Sequence, residues 1–290
     1  MALSTLAPWF GSNRMLAEHV GSALEGCSWV GVVFAGGMSE LPHIKARTIV
    51  VNDLHRHVIN LARVVADDLL RPVLIRRLAR KAFHPDQLKE CQEICSRLEP
   101  MPTWAGSPDL PFAEAYFVCC WMGRSSKAGI DDEFNGRPSI RWKSDGGDSM
   151  VRYMSAMRTI VPFSQTLRRC TFETMDCFEF LERCEDLNGH GIYADPPFPK
   201  VGRRYKHNAG QTDAEEASWH KRLRDALQRF ERTRVVARFY EHPMIRDLYS
   251  VADGWTWKPL VGRKQSNESA PEVLIVRNEG TPSLFDALTS

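Results

Sequence analysis

The sequence predicts an α/β fold with a doubly wound, mostly parallel sheet, interrupted by an inserted and largely helical domain. Three observations carry this expectation: short apolar runs that end at glycine or aspartate, helical runs between them, and a central stretch where the alternation stops.

The first run, Trp29 to Phe34, stops at Ala35-Gly36-Gly37, as a strand entering a tight turn does. The second, Thr48 to Val51, ends at Asn52-Asp53, and Val58, Ile59, Leu61, Ala62, Val64 and Val65 follow at helical spacing. From about Arg71 to Arg158 charged helical stretches lead into a Gly-, Ser- and Asp-rich tract around Gly123 to Gly147. Alternation returns from Ile160. Gly191-Ile192-Tyr193-Ala194 runs into Asp195, a helix is expected over Glu215 to Arg229, and a strand over Arg234 to Phe239. Trp255-Thr256-Trp257 and Glu272 to Val276 read as a terminal strand pair. The expected organisation is a sheet domain of residues 1–70 and 159–290 around an insert of residues 71–158. In such a sheet ligands bind at the carboxyl ends of the strands, which points to Gly36, Asp53 and Asp195.

With 290 residues and 43% apolar content the chain can bury a full core. Lys and Arg total 38 against 36 Asp and Glu, so any nucleic-acid footprint has to be local. Eight cysteines include Cys91 and Cys95 on one potential helix face, but no CxxC knuckle accompanies them, and no metal site is expected. No leading signal peptide is evident, which together with the cysteine usage predicts a reduced, cytoplasmic protein. No apolar run approaches the roughly 20 residues a bilayer helix needs, so no membrane association is expected.

The sharpest chemical feature is Asp195-Pro196-Pro197-Phe198, directly after an apolar run. Two prolines forbid both helix and ladder pairing, so the chain leaves the sheet as a stiff loop. An aspartate and a proline carbonyl side by side can accept both hydrogens of one amino group, and a ring two residues on can stack on a base. Methyl transfer to an aromatic exocyclic amine needs this, because its lone pair is delocalised until two acceptors pull on its hydrogens. The same tetrapeptide also serves as a plain Pro-Pro turn with a capping aspartate. Phe34, Ala35, Gly36 and Gly37 suit a cofactor loop, since glycine lets backbone approach a ligand. Asp53 can accept from ribose hydroxyls or cap the following helix.

Five landmarks in one order resemble the Dam-type adenine DNA methyltransferases. Pro8-Trp9-Phe10-Gly11-Ser12-Asn13-Arg14-Met15-Leu16 is similar to the family's N-terminal motif. Phe34 to Gly37 resembles the cofactor loop, Asn52-Asp53 the ribose tip, Thr174-Met175-Asp176-Cys177-Phe178 the acidic motif facing the cofactor adenine, and Asp195 to Phe198 the catalytic loop. The resemblance covers Pro8 to about Leu61 and Ile160 to about Asn278. It implies a class I methyltransferase, Rossmann-like fold, with S-adenosyl-L-methionine held by Trp9, Gly11, Arg14, Phe34, Ala35, Gly36, Gly37, Asp53 and Asp176. The catalytic loop would act on adenine N6 in double-stranded DNA after base flipping. The family loop usually reads Pro-Phe-x-Gly-x-Gly; here Val33 replaces the proline and Met38 stands at the second glycine. Arg14 stands for lysine and Phe198 for tyrosine.

The resemblance also implies that Arg203, Arg204, Tyr205 and Lys206 hold phosphates of the flipped nucleotide and that the insert reads the target sequence. Arg76, Arg77, Arg124, Lys127, Arg137 and Arg141 are the candidate DNA contacts; a bidentate arginine discriminates a guanine by about 1 to 3 kcal/mol. A cognate restriction endonuclease is a possible partner. The same geometry serves the cytosine N4 amine, and a non-catalytic DNA-binding relative would keep the fold. A nicotinamide enzyme would need the full GxGxxG, which is missing.

Overall fold

The computed structural model describes residues 5–11, 16–97, 107–123, 128–140, 142, 148–260 and 271–279. The strands are β1 (Trp29–Val32), β2 (Thr48–Asn52), β3 (Cys170–Glu173), β4 (His190–Ala194), β5 (Arg234–Tyr240), β6 (Thr256–Pro259) and β7 (Glu272–Arg277). The α-helices are α1 (Ala17–Ala23), α2 (Arg56–Ala66), α3 (Leu70–Ala79), α4 (Pro85–Arg97), α5 (Leu110–Met122), α6 (Ser149–Leu167), α7 (Cys177–Arg183), α8 (Asp213–Gln228) and α9 (Pro243–Leu248). The chain divides into two compact units. A helical unit takes Met1–Arg14, Gly36–Pro42 and His55–Thr174, and a sheet unit takes Met15–Ala35, His43–Leu54 and Met175–Ser290.

Six of the seven described strands belong to the sheet unit, in the lateral order β2-β1-β4-β5-β7-β6. Strands β2, β1, β4 and β5 run parallel, while β7 runs antiparallel to both β5 and β6. The fold is therefore α/β with a mostly parallel sheet, and the terminal pair is the hairpin-like β6 and β7. Parallel strands covered on both faces read as continuous apolar runs, which is why β1, β4 and β5 were legible. Ile192 and Ala194 of β4 join Phe180 and Leu181 of α7 and Leu223 and Leu227 of α8 in one core. On the other face a Cβ at Gly191 would lie 2.9 Å from Leu24 Cδ2 and Cys27 Sγ, just after α1. The α8 helix begins where the sequence provides a capping box: Thr212 Oγ1 accepts from Glu215 N at 3.2 Å, and the Glu215 carboxylate accepts from Thr212 N at 3.0 Å.

The order reverses between β1 and β4: β1 leads to β2 on one side, β4 to β5 on the other. Loops leaving two such strands diverge and open a crevice at their carboxyl ends. The loops in question are Val33 onward and Asp195 onward.

In the helical unit α5 packs against α2, α3, α4 and α6. Every residue from Ala113 to Met122 is buried. The helices extend beyond the expected insert, from Arg56 to Leu167, and Ile160 lies inside α6 instead of opening a new alternation. Tyr153, Ala156, Met157, Ile160, Phe163 and Leu167 are the buried stripe that carries α6 through that point. Among the described residues no helix is long and apolar enough to cross a membrane.

Candidate active site

Val51, Val32, Tyr193 and Val236 form one row across β2, β1, β4 and β5. Two residues farther along each chain stand Asp53, Phe34, Asp195 and Arg238. Three residues singled out from the sequence thus leave the sheet side by side, at the point where the strand order reverses.

The fourth, Arg238, was not expected. Ala194 pairs with Ala237, so Arg238 is the lateral neighbour of Asp195. Its side chain is only 1% exposed, and it donates from Nη1 to Asp195 Oδ2 at 2.7 Å and from Nε to Glu272 Oε2 at 2.9 Å. Burial opposes the guanidinium charge, yet Asp195, Tyr193 and Glu272 more than compensate and hold it well on the charged side. One cation is clamped between two carboxylates, one of which begins the Pro-Pro loop.

Behind the two prolines, Phe198 turns inward. Its ring is buried, meets Tyr240 edge-on at 4.6 Å and lies 5.4 Å beneath the Arg238 guanidinium carbon. Its carbonyl accepts from Gly202 N at 2.7 Å. Lys200 stands at φ 64° and ψ −53°, and Val201 N donates to Pro199 O at 2.8 Å, so the loop closes in a γ-turn of the strained hand. Gly202 is needed there: a Cβ would lie 2.7 Å from Pro197 Cβ. Burial, then the charge of Asp195, pushes the phenol of Tyr205 well up, and Asp53 contributes in the same direction.

Asn52 ties the neighbouring edge together. It is 1% exposed, and its Nδ2 donates to Val33 O and to Met175 O, both at 3.1 Å, while its Oδ1 accepts from Met175 N at 2.9 Å. Asp53 and Asp176 each follow one partner of this doubly bonded pair, so the two carboxylates leave from adjoining backbone. Asp176 caps α7, accepting from Phe178 N at 2.9 Å. Phe34 packs 6.1 Å from Trp219, which also meets Phe178 at 5.7 Å.

In the helical unit the expected cofactor residues Trp9, Gly36 and Gly37 pack on one another. A Cβ at Gly36 would lie 2.9 Å from Trp9 Nε1, and one at Gly37 2.7 Å from Ala7 O. Thr5 Oγ1 donates to Gly37 O at 2.5 Å, and Leu6 N donates to the same oxygen at 3.0 Å. The bareness of both glycines is accounted for by the N-terminal segment. Gly11 takes φ 75°, and Met38 holds φ 60° although it is not glycine and is 1% exposed. His55 caps α2 through Nδ1, shares a 2.7 Å hydrogen bond between Nε2 and Glu133 Oε1, and meets the Trp9 ring edge-on at 5.2 Å.

The candidate DNA contacts separate into classes. Arg76, Arg137, Arg204 and Lys206 are exposed. Arg203 is instead held by the carboxylates of Asp213 and Glu216. Arg77 pairs with buried Glu114 at 2.5 Å, and Lys81 reaches the same carboxylate at 3.1 Å. Arg14, Arg124, Lys127 and Arg141 lie outside the described residues. Among the described residues no three His, Cys, Asp or Glu side chains converge on a possible metal position. Burial pushes the thiols of Cys91 and Cys177 up to about 12, so both are protonated at neutral pH.

No model of a known protein family matches the chain, and no curated protein is significantly similar to it.

Proposed function

We propose that this chain is a DNA methyltransferase that transfers a methyl group from S-adenosylmethionine to the N6 amine of adenine in double-stranded DNA. The observation that carries the reading is the placement of Asp195-Pro196-Pro197-Phe198 at the strand reversal, in one row with Phe34 and Asp53, with the Asp195 carboxylate held by Arg238. The carboxylates of Asp53 and Asp176 on adjoining backbone fit a nucleoside that offers ribose hydroxyls and an amino group as donors. When bound, the cofactor supplies an electrophilic sulfonium methyl: the new N–CH3 bond forms as the S–CH3 bond breaks and its electron pair returns to sulfur.

In this reading Asp195 accepts one hydrogen of the amine and the Pro196 carbonyl the other, which frees the nitrogen lone pair for attack. The proton that the nitrogen sheds leaves on the Asp195 side. Pro196 and Pro197 fix both acceptors before the base arrives, so little ordering remains for the reacting complex. Tyr240, half-buried and edge-on to Phe198, offers the ring surface for an extruded base, and the buried Phe198 backs it from the core. Arg204 and Lys206 suit phosphates, and the helical unit, with Arg76 and Arg137 exposed, is the proposed sequence reader.

The test is to incubate purified protein with labelled cofactor and unmethylated genomic DNA, then sequence for methylation and analyse the digested nucleosides by mass spectrometry. N6-methyladenine within a defined motif is expected; N4-methylcytosine would move the assignment to the cytosine amine. Asp195→Ala should abolish transfer and leave cofactor binding intact. Retained turnover in that variant overturns the assignment.

A further inference from the structure

We infer that Arg238, pinned by Glu272, is a positioning residue that makes position 195 demand a carboxylate and reject the nearly isosteric asparagine. The inference rests on the methyltransferase reading and adds to it a rule about the acceptor itself.

The argument begins with geometry. Arg238 is fully enclosed on β5, its Nε is occupied by Glu272 Oε2 at 2.9 Å, and its Nη1 lies 2.7 Å from Asp195 Oδ2. A guanidinium has only donors, so whatever atom of residue 195 faces Nη1 must be an acceptor. A carboxylate can satisfy this with one oxygen and still present a second acceptor oxygen to an amine. An asparagine at 195 would turn its one carbonyl oxygen to Arg238 and direct its NH2 at the incoming amine. Two donors would then face each other where the mechanism needs an acceptor. Glu272 matters because it holds the guanidinium at Nε; β5 and β7 pair Arg238 with Leu274 and Tyr240 with Glu272, so Glu272 reaches Arg238 diagonally across the ladder. Arg238 also lies over the Phe198 ring, which limits its swing.

The experiment compares the wild type with D195N, R238M/E272Q, D195N/R238M/E272Q and D195N/R238K. Three measurements are made on each: methyl transfer to unmethylated DNA, cofactor affinity by calorimetry, and thermal unfolding midpoint. D195N should lose about 100-fold in kcat/KM with cofactor Kd unchanged, as for loss of one well-placed polar contact to a reacting group. D195N/R238M/E272Q should regain about tenfold over D195N, because the asparagine is free to turn its oxygen to the amine. D195N/R238K keeps a donor at 238 and should stay as low as D195N. The unfolding midpoints of D195N and R238M/E272Q should combine non-additively, as expected of groups in one network.

Wild-type turnover in D195N overturns the inference, even if the multiple variants fail to fold. So does a folded D195N/R238M/E272Q no more active than D195N, or additive midpoints. No transfer by the wild type overturns the methyltransferase reading and this inference with it, whereas transfer by the wild type with any of the preceding results removes the inference alone.

Discussion

The carboxylate of Glu216 accepts the backbone amide of Lys200 at 2.9 Å and thereby clamps a γ-turn whose central residue stands at φ 64°. The same carboxylate engages Arg203, so one buried acid on α8 organises the chain that leaves the Pro-Pro loop. Glu216→Ala should destabilise the protein by about 2 kcal/mol, the usual worth of hydrogen bonds to a buried charged group. Lys200→Gly should stabilise it by about 1 kcal/mol through relief of the positive φ. Thermal denaturation checks both; a Lys200→Gly protein less stable than the parent would mean that the turn carries no strain.

Asn52 completes three hydrogen bonds away from solvent. Asn52→Ala leaves the Val33 carbonyl and both Met175 backbone groups without it and should cost about 2 to 4 kcal/mol. Cofactor affinity should fall as well, since Asp53 and Asp176 lose the bond that sets their spacing. Chemical denaturation and calorimetry measure the two effects; unchanged affinity in a folded variant would argue against a nucleoside at these carboxylates.

Burial pushes His220 down from 6.5 to about 4; nearby Glu216 opposes the shift and His242 adds to it. The ring is fully enclosed, and neither nitrogen has a hydrogen-bond partner among the described residues. Because the folded state resists the proton, the unfolded state takes it up first as pH falls. Stability should be whole above pH 6.5, decline between there and about 4 by an amount of about 3 kcal/mol, and show no further His220 effect below. His220→Leu should remove that slope. A stability profile of the same steepness in the variant would assign the pH dependence to other groups.

Two adjacent arginines should behave differently. Both are exposed, but Arg77 pairs with buried Glu114. Arg76→Ala should weaken DNA binding and reduce the salt dependence by about one phosphate contact. Arg77→Ala should leave that slope alone and cost about 1 to 2 kcal/mol of stability, because Lys81 still serves the acid. Affinity titrations at several salt concentrations decide between them, and the reverse pattern would count against Arg76 as a phosphate contact.

The strands were legible because a doubly covered parallel sheet writes its elements as unbroken apolar runs, and the Pro-Pro loop because prolines cannot sit in a ladder. Arg238 escaped notice for the complementary reason: inside Arg234 to Tyr240 a single charge reads as a solvent-facing position, and only the Ala194–Ala237 register sets it beside Asp195. Glu272 begins its strand, where a charged residue is ordinary and marks no site. The α5 helix has no polar face from Ala113 onward, so helical period leaves no mark there. Strand β3 is four residues long, with Thr171 and Glu173 interrupting any apolar run. The glycines at 36 and 37 were seen, but the side chains that require their bareness, Trp9 and Thr5, lie about thirty residues earlier in the chain.

Met38 carries a wider lesson. The residue directly follows Gly37, and its φ of 60° is one that glycine adopts freely and a side chain does not. Adopting it costs a methionine about 1 to 2 kcal/mol, and burial of its long side chain returns a comparable amount. What this loop holds to is a torsion angle. The letter that usually supplies it is replaceable wherever a neighbouring pocket is deep enough to reward the substitute.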